Sequence, residues 1–322
     1  MIMSEIYLVF VVFLFVLAVF DLMVGVSNDA VNFLNSAIGA KVAKFRTIII
    51  VAAVGVFMGA TMSNGMMEVA RNGVFHPAMF SLKELMFIFL AVMISDVILL
   101  DIFNNLGLPT STTVSLVFEL LGGTTAFVLL KLANDTTGLT VGDLMNTEKA
   151  LGMIMAIFVS VAIAFFFGIV LQYISRLVFT FTYKKNLKWK IGIFGGVATT
   201  AIFYFMLFKG IKSMSFVTPE IYEYIQNHTL AILGICFLAS TAIMQFLYFL
   251  KVNVFKILVL MGTFALAMAF AGNDLVNFIG VPLAGYSAYT DFAASGASDP
   301  STFMMSSLEG PAKSPMIFLV AA

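Results

Sequence analysis

The chain has 322 residues, 61% hydrophobic and only 11% charged, with a mean hydropathy of +1.06; an ordinary soluble domain carries roughly 25% charged residues. That excludes a water-soluble fold and makes the bilayer the solvent for most of the chain. Seventeen basic residues balance 17 acidic ones, so no nucleic-acid partner is indicated, and the single cysteine, Cys236, cannot form an intrachain disulfide. His76 and His228 are the only histidines and stand far apart, which argues against a His-built metal or catalytic centre.

Apolar runs predict membrane segments near residues 6–26, 47–62, 85–108, 113–131, 150–172, 191–208, 229–250 and 254–271, with an incomplete run from Pro315. Ile6–Phe20 is preceded by Glu5 and by no Lys or Arg, so it reads as the first membrane segment and not as a signal peptide. Loops 35–46 (Lys41, Lys44, Arg46), 173–190 (Arg176, Lys184, Lys185, Lys188, Lys190) and 251–256 (Lys251, Lys256) are basic and free of acids. Loops 63–84, 131–149 and 209–228 mix both signs. Because cytoplasmic loops are enriched in Lys and Arg, the three basic loops are expected inside and the N-terminus outside. That parity holds whether 85–131 crosses twice or dips in and returns. The tract Thr180–Lys190 suits either an interfacial segment over anionic lipid or plain positive-inside flanking. From Gly285 to Ser314 the chain turns to Ser, Ala, Gly, Asp and Pro, which predicts an extramembrane loop on the outer side.

The strongest internal feature is a repeat. Ser27-Asn28-Asp29-Ala30-Val31-Asn32-Phe33 recurs 245 residues later as Gly272-Asn273-Asp274-Leu275-Val276-Asn277-Phe278. In the predicted topology the run before Asn28 travels inward and the run before Asn273 outward, so the copies are inverted. Inverted repeats around a central site are a recurring plan of secondary transporters. Within a copy, Asn at i and i+4 shares one helical face with a nearby Asp. These oxygens form a hard-ligand set suited to Na⁺ and not to zinc or copper. An intramembrane carboxylate is costly, roughly 2.5–3.5 kcal/mol on insertion scales, and marks an ion path.

Between the third and fourth runs lies Asp101-Ile-Phe-Asn-Asn-Leu-Gly107-Leu-Pro109-Thr110-Ser111-Thr112-Thr113. Gly107 is expected to end one helix and Pro109 to start the next. The result is a helix N-terminus rich in hydroxyls in an apolar setting, an arrangement suited to an anion. Asp96, Asp101 and Glu119 in the same hairpin either face a polar path or lie solvated near an interface.

These motifs resemble the inorganic phosphate transporter family of sodium- or proton-coupled phosphate permeases, whose signature reads G-A-N-D-V-A-N in each half with G-L-P-V-S-T-T in a re-entrant hairpin. Here Val26-Ser27 replaces the leading Gly-Ala of the first copy, and Thr110 replaces the Val of the hairpin motif. The resemblance runs from about residue 10 to 285. It implies an all-α, polytopic helical membrane protein with inverted-topology repeats and a re-entrant hairpin. Residues 1–172 would form the first repeat, with the hairpin near 85–131; 173–190 would be a basic cytoplasmic loop, and 191–322 the linking helices and an incomplete second repeat. Asn28, Asp29, Asn32, Asn273, Asp274 and Asn277 would bind cation, with Asp29 and Asp274 as the Na⁺ ligands. Ser111, Thr112 and Thr113, with Asn32 and Asn277, would bind phosphate. The likeness also implies a homodimer in the cell (inner or plasma) membrane. The family carries a second P-x-S-T-T hairpin after the second N-D-x-x-N copy, whereas this chain stops at Ala322 within an apolar run, so truncation is the expectation.

Charge arithmetic supports ion coupling independently. Two aspartates and a phosphate in a low-dielectric site carry at least three negative charges, so cations must enter with the anion. Sodium or protons satisfy this equally, and no other cofactor is called for. The expected function is cation-coupled phosphate transport across the lipid bilayer. The alternatives are a permease for another oxyanion such as sulfate, a membrane enzyme acting on lipid phosphates, and a non-transporting assembly subunit. No H-E-x-x-H or G-x-S-x-G motif supports the enzyme.

Overall fold

The computed structural model describes residues 2–61, 70, 73–134, 138–180, 187–210, 219–273 and 275–309. Eleven α-helices are present among them: α1 (Ile2–Gly39), α2 (Phe45–Thr61), α3 (Leu82–Asn105), α4 (Thr112–Ala133), α5 (Val141–Leu144), α6 (Thr147–Phe179), α7 (Lys190–Gly210), α8 (Pro219–Asn227), α9 (Thr229–Phe249), α10 (Val254–Asn273) and α11 (Leu275–Ser295). The only β-type pairings there are two isolated bridges, Phe75 with Met145 and Ser81 with Met304. Among the described residues six helical stretches are long and apolar enough to cross a membrane: Glu5–Gly39, Leu82–Asn105, Thr112–Ala133, Thr147–Phe179, Thr229–Phe249 and Val254–Ser295. The all-helical membrane architecture follows from solvent: in hydrocarbon every backbone N–H and C=O must pair within its own segment.

The chain forms two compact units, one of Met1–Val31, Asn64–Ile157 and Asn273–Ala322, the other of Asn32–Ser63 and Phe158–Gly272. The first is built on the hairpin of α3 and α4, with α11 packed against both. Its core gathers Leu14 and Ala18 of α1, Phe75 and Phe80, Leu85, Met86 and Phe89 of α3, Leu116 and Leu120 of α4, and Ala284 and Ala288 of α11. Ser81 caps α3 in a reciprocal box with Glu84. Lys131 near the end of α4 bonds Glu84 at 3.1 Å and the Met79 carbonyl at 2.8 Å, closing the open end of the hairpin.

α11 corrects one expectation. Residues 285–295, expected in an outer loop, continue this helix, and Gly285 and Ala288 are buried. A Cβ on Gly285 would approach Leu14 Cδ1 to 2.8 Å. A run of small residues that signals a loop in water here lets helices approach closely, the usual use of such residues in membranes. Residues 310–314 of that expected loop lie outside the described set.

In the second unit α7 packs along α9, and Phe179, Ile191, Met244, Val254 and Leu258 form the core. On α2, Gly55 and Gly59 face the backbone carbonyls of Phe264 and Met268 on α10.

Candidate functional site

The tip of the α3–α4 hairpin is shaped by its own sequence. Gly107 takes φ +67°, and the Gly107 and Leu108 N–H groups donate to Asn104 and Phe103 at 3.0 and 2.9 Å, the paired bonds of a Schellman cap. α4 starts three residues later than expected from Pro109. Ser111 is its N-cap, accepting from Val114 N at 3.4 Å, and Thr112 is the first helical residue. The serine hydroxyl satisfies an orphan N–H of the first turn, which proline cannot do.

α1 grips this tip. Asn28 Nδ2 donates to the Leu108 carbonyl at 3.0 Å, and Asn28 Oδ1 accepts from the Thr110 N–H at 2.8 Å. From α11, Asn277 Nδ2 donates to Thr113 Oγ1 at 2.9 Å. Asn277 is 1% exposed, and its Oδ1 is buried without a hydrogen-bond partner. Asp29, beside Asn28, is also buried. One unit thus brings together Asn28 and Asp29 of the first N-D-x-x-N copy, Asn277 of the second, and Ser111, Thr112 and Thr113 of the hairpin. Asn32 is exposed and falls in the second unit. Asp274 and the side chain of Asn273 lie outside the described residues.

The chemistry of this cluster is mixed. Thr112 is buried with an unpartnered hydroxyl, Thr113 is half-buried and Ser111 exposed. Hydroxyl and N–H donors at the start of α4 suit an anion. The Asn277 amide oxygen and the Asp29 carboxylate are hard oxygens of the kind a sodium ion takes. A buried acceptor that no donor reaches costs about 1–3 kcal/mol, and among the described residues no donor reaches Asn277 Oδ1.

The acids of the hairpin separate. Asp96 is buried and Glu119 half-buried, whereas Asp101 is exposed and accepts from Asn105 Nδ2 at 3.1 Å. Asp21 of α1, 0% exposed, was not singled out by the motifs, although a lone carboxylate inside the first apolar run is itself the signal that marks it. Among the described residues no three His, Cys, Asp or Glu side chains converge to hold a metal ion.

The family model of the phosphate transporter family matches residues 25–311. A solved structure, "The sodium-dependent phosphate transporter", is similar over 95% of this chain and 72% of its own, with a TM-score of 0.62 and 19% sequence identity. At that identity the likeness shows a shared fold. No curated protein sequence matches the chain. With nearly nine-tenths of its length inside the family model, this helical membrane chain belongs to the phosphate transporter family, whose members are transporters and not enzymes.

Proposed function

We propose that the chain carries inorganic phosphate across the membrane together with a coupled cation, and that the hairpin tip and the N-D-x-x-N segments form the site. The observation that carries this reading is the convergence of both copies on one loop: Asn28 holds Leu108 and Thr110, while Asn277, from 249 residues later in the chain, holds Thr113. In this reading Ser111, Thr112 and Thr113 with the first turn of α4 cradle phosphate. Asp29, Asp274 and the amide oxygens of Asn273 and Asn277 serve the cation, and Asn28 fixes the tip with its oxygen still open to a second partner. The copies act as inverted halves that alternate access to this site, as in other secondary transporters. The protein works as a homodimer in the cell membrane with its N-terminus outside.

Coupling follows from charge. Phosphate entering beside buried carboxylates needs positive charge to accompany it, because uncompensated charge in a low-dielectric site is prohibitive. The hard-oxygen donors favour sodium.

The test is uptake of labelled phosphate into proteoliposomes under an inward sodium gradient, under a proton gradient and under neither, with sulfate as competitor. Accumulation only with a cation gradient, unaffected by excess sulfate, is the expected result. Gradient-independent equilibration would remove the coupling, and sulfate blocking uptake as well as phosphate does would make the protein a general oxyanion permease.

A further inference from the structure

We propose that Asp21, Asp96 and Glu119, joined by Ser115, form a proton-binding row inside the first unit, separate from the N-D-x-x-N segments. The row crosses three helices. The Asp21 side chain on α1 lies within hydrogen-bonding reach of Asp96 on α3, and Asp96 reaches both Ser115 and Glu119 on α4. Ser115 Oγ donates to Glu119 Oε1 at 3.1 Å. Asp21 is 0% and Asp96 1% exposed, and among the described residues no donor reaches either oxygen of Asp21, Oδ1 of Asp96 or Oε2 of Glu119. Two ionised carboxylates in contact repel; the same contact becomes a hydrogen bond when one of them holds a proton.

A second observation points to the same ligand. Thr112 Oγ1, 1% exposed, has no hydrogen-bond partner and stands on the face of α4 that carries Ser115 and Glu119, three and seven residues on. This hydroxyl can donate to a carboxylate or accept from a carboxylic acid, so it extends the row toward the hairpin tip. Among the described residues no basic group pairs with the acids. Lys131, the one basic residue of α4, stands about 18 Å further along the helix and is engaged with Glu84 and the Met79 carbonyl. α1 also carries Glu5, Tyr7 and Asp29, α3 Lys83, Glu84 and exposed Asp101, and α11, packed on α3 and α4, Tyr286, Tyr289 and Asp291; the leading charged neighbours of each carboxyl are nevertheless the other members of the row.

Geometry selects a proton over a metal ion. The carboxyls meet in sequence, Asp21 with Asp96 and Asp96 with Glu119, and do not close around one point. A metal ion needs several oxygens converging on one centre, whereas a proton needs two at a time. Transfer along the row breaks one O–H bond and forms the next, with Ser115 relaying, and needs no co-reactant. The row ends on the first turns of α4, directly after Ser111–Thr113. A proton loaded there and an anion bound at the tip of α4 therefore favour each other reciprocally. Only this use of the proton rests on the phosphate reading; the site itself does not.

Two measurements separate the claims. Infrared difference spectra of the full chain in lipid, recorded between acidic and alkaline pH, should show a carboxylic-acid C=O band at neutral pH that Asp96→Asn and Asp21→Asn each remove or shift. No such band in the wild type, or an unchanged band in both variants, would overturn the site, and this holds whether or not phosphate is carried. If a variant fails to give monodisperse protein, the wild-type spectrum alone decides. Phosphate uptake against pH should then have its midpoint moved in Glu119→Gln, and an unmoved profile would overturn the row's part in the cycle. Absence of any wild-type phosphate uptake would sink the transport reading and leave the infrared result standing.

Discussion

Asn28 shows how one amide can organise a site. Its Nδ2 and Oδ1 engage a carbonyl and an N–H two residues apart at the hairpin tip, a pairing that only a side chain with both a donor and an acceptor can make. Asn28→Ala removes both bonds, each worth about 0.5–1.5 kcal/mol, and frees the loop that presents Ser111–Thr113. Phosphate affinity should fall about ten-fold. Asn28→Asp keeps an acceptor for Thr110 N and should lose less. Calorimetry with inorganic phosphate checks both, and equal affinities in wild type and Asn28→Ala would separate the tip from binding. Outside the membrane, Asp143 accepts from the Thr140 N–H at 2.8 Å and from its hydroxyl at 2.7 Å, and these bonds hold its carboxyl below the ordinary aspartate value. A lowered folded value means that the contribution is present above the unfolded value and lost as pH falls through the folded one. The turn before α5 should therefore be insensitive to pH near neutrality. A ¹³C-carboxyl titration of Asp143 should give a midpoint below 3.8 that rises in Thr140→Val; a wild-type midpoint at or above 3.8 contradicts the assignment.

At the level of elements, glycine has two opposite meanings. A Cβ on Gly59 of α2 would collide with the Met268 carbonyl of α10, which is backbone and cannot swing aside, and would come within 2.8 Å of Ala271 Cβ. Gly122 of α4 has nothing within 4 Å of that position. Gly59→Ala should destabilise the fold by about 1–3 kcal/mol, the range for overpacking, and Gly122→Ala should be neutral or stabilise by about 0.5–1 kcal/mol. Thermal unfolding midpoints in detergent test the pair, and equal midpoints would contradict the packing of α2 on α10. Chemically alike glycines differ here only through long-range contacts, and the same limit governed what could be read beforehand. All eight complete apolar runs became helices, because an apolar run of that length has no other way to satisfy its backbone in lipid. The start of α4, expected at Pro109, falls at the Ser111 cap instead, whereas the hairpin tip was legible at Gly107, whose left-handed turn is a local event. The helical stretch 285–295 was not, since Gly, Ala and Ser mean a turn in water and close packing among helices. Asp21 carries a local signal as a lone carboxylate in an apolar run, but its link to Asp96 was hidden: no short-range pattern ties residues 75 apart, and only tertiary packing brings the two together.

For the molecule in its membrane, the sidedness of the first unit can be argued from backbone bonds. His76 N donates to the Leu144 carbonyl, Asn146 N to Val74, Leu82 N to Phe303 and Met305 N to Phe80, all between 2.8 and 3.0 Å. Segments 74–82, 144–146 and 303–305 thus meet at one end of the unit, and the Lys131–Glu84 pair brings the end of α4 to the same place. Segments 74–82 and 144–146 and Lys131 belong to the mixed-charge loops 63–84 and 131–149, whereas the acid-free basic loops are 35–46, 173–190 and 251–256. If Lys and Arg mark the cytoplasmic side, the hydrogen-bonded end faces outward. Residues 181–186 of the second basic loop lie outside the described set, but Lys188 is exposed and open to labelling, as is Asn134 at the end of α4. Cys236 must first be replaced; its hydrogen-bond partners among the described residues are weak contacts to the Thr200 and Ser240 hydroxyls at 3.9 and 3.8 Å, so Cys236→Ala should be well tolerated. In that background an impermeant thiol reagent applied to intact cells should modify Asn134→Cys and spare Lys188→Cys until the membrane is opened. The reverse pattern would invert the orientation without disturbing the fold. Modification of both in sealed cells would place the basic loop on the same side as the hydrogen-bonded end, and the charge rule would then have failed for this chain.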